Sequence, residues 1–197
     1  MSKKYNKNIA ECVGLWLAEG DKKTISEITF TNNCWALIRM FHKFVINKFD
    51  GNPRIYVYSK QLLSNVKLGK CKIKYYIDNR ANKPYYILRL ASKKAIEKWH
   101  VIVKKIIRKR EFYPYVLRGF FAGEGSVKGN DLESSHNSRT LRIAQKNEEK
   151  FINNILNSLN ITYHFNKNNR SYEITGKWNW DIFAKHKLAY LHPDKRK

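Results

Sequence analysis

The sequence predicts an α+β protein made of two similar halves, and three observations carry that prediction. A short pattern occurs twice: residues 12–21 read CVGLWLAEGD and residues 117–126 read LRGFFAGEGS. Each has Gly, four residues, then Glu-Gly, and the two glutamates lie 124 − 19 = 105 positions apart in a chain of 197. Self-similarity at about half the chain length is the mark of a duplicated unit. Each copy is then followed by the same succession of alternating and helical patterns. Finally, 43% of the residues are hydrophobic, enough to bury a core and too many for a disordered chain.

The halves divide at about residue 110, giving 1–110 and 111–197, each read as an αββαββα-type unit. The apolar runs IAECVGLWLA and YVLRGFFAG read as short helices buried nearly all round. Strands follow, with apolar alternation at Ile28 and Phe30 in the first half and at Leu141 and Ile143 in the second. Asn33 and Asn147 stand where they would cap the next helices. The first half continues with strands near 53–60, 70–78 and 84–91 and a helix over about 93–109. The second continues with strands near 161–167 and 171–175 and a helix over about 178–188. An insertion around 60–70 lengthens the first half, and Gly129 to Ser138 reads as a long polar hairpin loop.

Gly14 and Ala18 lie four apart on one face of the first motif helix, as do Gly119 and Gly123 on the second. Glycine inside a helix costs about 1 kcal/mol relative to alanine. Small residues at that spacing let two helix backbones approach closely, so the motif helices are expected to pack on each other. Glu19 and Glu124 then end their helices, followed by Gly20 and Gly125, residues suited to a left-handed terminal position. A carboxylate at a helix C-terminus opposes the helix dipole. Two of them call for a cation, and carboxylates with terminal carbonyls, those of Ala18 and Gly123, make a hard oxygen site of the kind Mg²⁺ takes.

The charge balance names the partner class. There are 39 Lys and Arg against 16 Asp and Glu, a net charge of +23, which points to a polyanion, most commonly nucleic acid. The strands agree. In KCKIKYYI, Lys70, Lys72, Lys74 and Tyr76 alternate with Cys71, Ile73, Tyr75 and Ile77; in PRIYVYSK, Arg54, Tyr56, Tyr58 and Lys60 oppose Ile55, Val57 and Ser59. One face of each strand is therefore basic and aromatic. Arg142 opposes Leu141 and Ile143 in the second half, and Lys128 and Arg139 flank its loop. Such strands can read base edges in the major groove, a solvated sheet face being the alternative. Cys12, Cys34 and Cys71 lack metal-ligand spacing and read as reduced thiols. The six histidines show no HxxxH spacing, which disfavours a histidine-based nuclease.

GLWLAEGD and GFFAGEGS resemble the two signature motifs of the LAGLIDADG homing endonucleases, in the single-chain, two-motif form. The resemblance covers essentially the whole chain. Glu stands where Asp is commoner, and Leu17 and Ala122 replace an earlier acid of the motif that is not the metal-binding one. The resemblance implies saddle-shaped antiparallel sheets and Mg²⁺-dependent hydrolysis of both strands of a long DNA site, with Glu19 and Glu124 as the motif acids. Mn²⁺ is expected to substitute, and Ca²⁺ to support binding without cleavage. The family's water-ordering polar residue at a strand end falls on Asn32 and Gln145. Lys22, Arg89 and Lys146 are candidates for its basic active-site residues, a phosphate contact or a solvated side chain being the other reading of each.

The competing reading is the same fold used without cleavage, as an intron maturase with an RNA partner or as a DNA-binding regulator. A general RNA-binding module lacks its motifs. One chain supplies both halves, so a monomer is expected. No signal peptide or membrane-spanning run is visible, which gives a cytoplasmic or organellar expectation, with no membrane partner. No protein-splicing signature is visible, which favours a freestanding or intron-encoded origin.

Overall fold

A computed structural model of the chain describes residues 6–61, 63, 68–69, 71–128 and 140–195. The expected hairpin loop of residues 129–138 lies outside them. Contacts gather residues 19–105 into one compact unit, and residues 106–197 together with 1–18 into another.

The order of elements follows the hydrophobic patterns. Helix α1 spans Lys7–Glu19, and its first turn is capped by the Asn6 side chain, which accepts the Ile9 N–H at 3.0 Å. Strand β1 (Glu27–Asn32), helix α2 (Trp35–Lys48), strands β2 (Arg54–Ser59), β3 (Lys72–Ile77) and β4 (Tyr85–Ala91), and helix α3 (Lys93–Ile106) complete the first half. After a 3-10 turn at Arg110–Phe112 come helix α4 (Tyr113–Glu124), strands β5 (Gly125–Lys128) and β6 (Thr140–Ala144), helix α5 (Lys150–Ser158), strands β7 (His164–Asn166) and β8 (Ser171–Ile174), and helix α6 (Lys177–Lys185). A last 3-10 turn covers Pro193–Lys195.

Each half forms one four-stranded sheet, ordered β1-β4-β2-β3 in the first and β5-β6-β8-β7 in the second. The antiparallel trio β1-β4-β2 has the same order and sense as β6-β8-β7. The halves differ in the fourth strand. The second half is αββαββα as expected, with β5 pairing β6 on one edge. The first half has no strand between α1 and β1. There Asp21 Oδ1 accepts the Lys23 N–H at 2.9 Å, and the polar side chains of this run turn the backbone upon itself before it can pair. Its fourth strand is β3, on the opposite edge, and it runs parallel to β2 rather than antiparallel. The 12 residues from 60 to 71 between these strands are the insertion read in the sequence, long enough for a crossover return.

The apolar faces meet the helices. In the first unit Trp99 of α3 is fully buried, with ring centroids 6.2 Å from Phe41 and 5.1 Å from Phe44 of α2. In the other, Phe120 of α4 packs edge-on to Phe151 of α5 at 5.6 Å, and Phe121 to Phe183 of α6 at 5.2 Å. Two helix starts differ from expectation. Cys34 and Glu149 precede α2 and α5 in extended conformation without side-chain capping, so Asn33 and Asn147 are not the caps. At α2 the neighbouring Asn32 makes the local bond instead, its side chain accepting the Cys34 N–H at 2.8 Å.

The two motif helices pack directly on each other. A Cβ added at Gly14 would collide with the Val116 carbonyl oxygen and lie 2.7 Å from the Phe120 nitrogen; one added at Gly119 would collide with the Glu11 carbonyl oxygen and lie 2.9 Å from the Leu15 nitrogen. The contact is symmetric: 119 − 14, 116 − 11 and 120 − 15 all equal 105, so α1 meets α4 as α4 meets α1. One ion pair breaks the symmetry. Arg118 Nη1 lies 2.6 Å from Glu11 Oε1, with side-chain exposures of 18% and 8%. The equivalents of Glu11 and Arg118 are Val116 and Val13. Arg118 also donates to the His186 carbonyl and stacks over the Tyr115 ring, which Lys7 approaches too. Burial pushes the Glu11 carboxyl up from its ordinary value against the opposing pull of Arg118. With its folded pKa raised, Glu11 holds a proton more readily in the folded than in the unfolded chain. Its own titration therefore favours the fold as pH falls through the carboxylate range, opposite to the usual acid effect.

Two outcomes are expected from this contact. Gly119→Ala, which at an open helix site would stabilise by about 1 kcal/mol, should here destabilise by about 3 kcal/mol, because backbone must move to admit the methyl. Urea denaturation checks it, and a gain in stability would refute the close approach. Arg118→Met should cost about 3–5 kcal/mol by leaving Glu11 buried without its partner, and Glu11→Leu added to it should recover most of that loss. A double-mutant cycle that shows strict additivity would deny the coupling.

Candidate functional site

The sequence singles out the acidic ends of the motif helices. In the first half Glu19, the last residue of α1, accepts a hydrogen bond at 3.2 Å from Nδ2 of Asn32, the last residue of β1. Asn32 is buried, and its Oδ1 is held by the Cys34 amide. Both ends of this amide are thus used, which fixes its orientation and presents its donor to the acid. In the second half Gln145 follows the last residue of β6, its backbone N–H donating to the Arg170 carbonyl at 2.8 Å, with the side chain half-exposed. Lys22 and Lys146 are exposed.

Glu124 ends α4 and leads straight into β5. Gly125 does not adopt the left-handed conformation expected of it. Its φ of −79° and ψ of 154° are extended, and it begins the strand. Glycine is needed there for space, because a Cβ would run into the carbonyl and ring of Phe121. The terminal carbonyls of α4 are met by an unforeseen partner. Lys195, from the 3-10 turn at Pro193–Lys195, places Nζ 3.2, 2.7 and 3.0 Å from the carbonyl oxygens of Phe121, Ala122 and Gly123.

Each helix end offers an ion oxygen donors, a glutamate carboxylate and helix-end carbonyls, Glu19 ending α1 and Glu124 ending α4. Among the described residues no group of three or more His, Cys, Asp or Glu is placed to hold a metal. An ion held by either glutamate would therefore complete its shell with water and phosphate oxygens, which is how Mg²⁺ is commonly bound. The donor set fits a hard divalent ion.

The helix-free face of the first sheet carries the expected basic residues in register. Lys72 of β3 pairs with Arg54 of β2, which pairs with Arg89 of β4, which pairs with Thr29 of β1. Next to this cationic row, Lys74 pairs with Tyr56, and the row beyond it is aromatic: Tyr76, Tyr58 and Tyr85. The Tyr58 ring stacks on Tyr76 at 5.1 Å and on Tyr85 at 4.9 Å, and Tyr76 approaches Tyr56 at 6.1 Å. Arg89 lies over the Tyr56 ring at 5.3 Å and 3.7 Å from Glu27, so it is engaged on this face. The Tyr85 hydroxyl donates to Asp78 at 3.0 Å, beside an open pocket of about 580 Å³ that Asn33, Arg80 and Lys83 help to line. The backbone N–H of Arg80, then its side chain and the Tyr85 hydroxyl, hold the Asp78 carboxyl below its ordinary range.

The second sheet is less cationic. Arg142 pairs with Glu173 in register, their side chains 3.3 Å apart. The Asn169 amide first, then Arg142 and Asn166, hold the Glu173 carboxyl below its ordinary range. Lys70, Arg139 and the side chain of Lys128 lie outside the described residues. Two contributors escaped the sequence reading. Tyr85 had a signal, since the alternation of Tyr85, Ile87 and Arg89 in β4 puts it on the basic face. Lys195 had none, because it reaches α4 across 72 positions of chain. No helix among the described residues is long and apolar enough to cross a membrane.

No family model matches the sequence, and no curated protein matches it. Solved structures do. The chain is 17% identical to I-DmoI in a complex with DNA and Mn, with a TM-score of 0.58 over 93% of this chain and 97% of that one. It is 17% identical to full-length DUF199/WhiA from Thermatoga maritima, with a TM-score of 0.55 over 96% of this chain, and spans 57% of that longer protein. Against the N-terminal LAGLIDADG domain of DUF199/WhiA alone the TM-score is 0.55 at 18% identity, covering 97% of this chain and 86% of that one. The fold is that of LAGLIDADG proteins.

Proposed function

We propose that this LAGLIDADG-fold chain is a site-specific double-stranded DNA endonuclease that hydrolyses both strands of a long target, using divalent metal held by Glu19 and Glu124. The observation that carries the reading is the retention of an acid at the end of each motif helix, where the helix dipole disfavours one, with Asn32 donating to Glu19. A protein that only bound DNA would need the basic sheet and need not keep these acids. Neighbours of the same fold include I-DmoI, described as a homing endonuclease and seen in complexes with DNA and Mn or Ca.

The chain's own residues divide the task. The row Lys72–Arg54–Arg89 and the tyrosines beside it bind duplex DNA by phosphate neutralisation and groove contact. Arg142, partly neutralised by Glu173, contributes less charge. Glu19 and Glu124 supply the negative ligands, with the Ala18 and Gly123 carbonyls as further oxygens. Asn32 fixes the Glu19 carboxylate, and Gln145 serves as the polar strand-end residue of the other half. Lys22, Arg89 and Lys146 supply positive charge toward the phosphate. Mg²⁺ or Mn²⁺, when held by these residues, would supply Lewis acidity toward water and the phosphate. The two halves, taken as 1–110 and 111–197, act within a monomer. An intron-encoded origin is consistent with this reading.

The second reading is DNA binding, or maturase action on intron RNA, without cleavage. The Lys195 ammonium on the Gly123 carbonyl favours it, since that oxygen already has a cationic partner.

Cleavage selection on a randomised duplex library with Mg²⁺ supplies the target for two tests. On a plasmid carrying the selected site, Glu19→Gln and Glu124→Gln should each lose double-strand cleavage while keeping gel-shift affinity in Ca²⁺. Linearisation at the wild-type rate by both variants would remove these carboxylates from the metal site, and tight binding with no cleavage under any divalent ion would establish the second reading. Affinity should also fall steeply with salt. Arg54→Ala and Lys72→Ala should each lower the slope of log affinity against log salt by about 1, and Arg142→Ala by less, because Glu173 already offsets it. Wild-type slopes for Arg54→Ala and Lys72→Ala would mean that the first sheet does not carry the phosphate contacts, and a full drop for Arg142→Ala would mean that Glu173 does not offset it.

A further inference from the structure

The turn at Pro193–Lys195 holds a lysine at the end of the second motif helix. Phe121, Ala122 and Gly123 lie in the last turn of α4, whose carbonyls have no amide partner four residues on within the helix. Gly125 N–H serves Phe121 as a cap. Lys195 then brings its ammonium to all three carbonyls, at 2.7–3.2 Å. A set of carbonyl oxygens at this distance suits an ammonium, which has three donors. The turn that presents it is itself built: the Lys195 N–H donates to the His192 carbonyl at 3.1 Å, the Asp194 N–H to His192 Nδ1 at 3.2 Å, and His192 is buried. Lys195 is half-buried with it. One of its three oxygens, that of Gly123, adjoins Glu124 and is the one a divalent ion on that acid would draw on.

We infer that Lys195 is a built-in counter-cation of the second acidic helix end: its ammonium occupies the carbonyls of α4 in the metal-free protein and withdraws when a divalent ion binds at Glu124 and Gly123. The inference rests on the metal-binding reading of Glu124. A positive charge resting on these carbonyls competes with a doubly charged ion, and its removal strengthens binding. In the metal-free state the same charge satisfies the helix dipole and the open carbonyls. The turn that carries Lys195 thereby sets the metal concentration at which this half becomes loaded.

Calcium titration by calorimetry, with thermal melting in chelator, tests it on the full chain. Lys195→Met keeps the length of the side chain and removes the charge; Lys195→Arg keeps the charge. Lys195→Met should melt lower than wild type in chelator, bind Ca²⁺ roughly tenfold more tightly, and recover wild-type melting once Ca²⁺ is saturating. Lys195→Arg should stay near wild type in both respects. Glu124→Gln serves as the control for the site itself. If Glu124→Gln loses Ca²⁺ binding and Lys195→Met binds no more tightly than wild type, the counter-cation role is overturned and the metal reading stands. If Glu124→Gln binds as wild type does, or none of the proteins binds Ca²⁺, the metal reading fails and the inference falls with it.

Discussion

The structure depends on one close approach, the contact of α1 and α4 backbones at Gly14 and Gly119. No side chain fits at either position, because carbonyl oxygens and amide nitrogens of the facing helix already fill the space a Cβ would take. The helices that carry Glu19 and Glu124 are thus joined backbone to backbone, not through a layer of side chains. Interiors packed at crystal-like density transmit displacement. The same helix α4 meets α5 through Phe151 and α6 through Phe183.

Each half builds the same three antiparallel strands, and each adds a fourth on a different edge. The difference traces to short stretches of chain. A polar run after Glu19 turns on its own side chains where the residues after Glu124 enter a strand at once. The insertion before β3 then supplies the first half with another edge strand, and with it Lys72, Lys74 and Tyr76. The first half thereby gains the larger cationic and aromatic face, while the second keeps an Arg142–Glu173 pair that holds charge in balance.

Much of this is legible in the sequence for a physical reason. Repetition at 105 residues, small residues four apart and alternation along strands are all signals of local geometry, and they locate the helix contact, the strands and the basic face. What escapes the sequence depends on distant chain or on competing local bonds. The local bond at the start of α2 goes to Asn32, not Asn33, because the side chain two residues before Cys34 reaches its amide. The parallel sense of β3 depends on how a 12-residue crossover returns, which alternation does not encode. Glu11 and Arg118 stand as charges in apolar helices three residues and one residue before the motif glycines, a visible irregularity whose pairing needs coordinates. Lys195 leaves no trace, since a basic tail has the same composition whether it frays or docks.

The charged asymmetry of the helix contact, the Glu11–Arg118 pair, bears on what the chain would do in the company of its own copies. Two-fold contacts between helices that share the same glycine contact invite domain swapping, in which α1 of one molecule pairs with α1 of another and the halves are exchanged. The glycine contact alone would permit it, since Gly14 meets its neighbour as Gly119 does. Such a pairing would set each Glu11 against Val13 instead of Arg118, burying two carboxylates with no counter-charge, at a cost of about 3–5 kcal/mol for each. The ion pair thus makes the correct match distinguishable from the exchanged one, and the duplicated motif closes within its own polypeptide instead of spreading into linked assemblies.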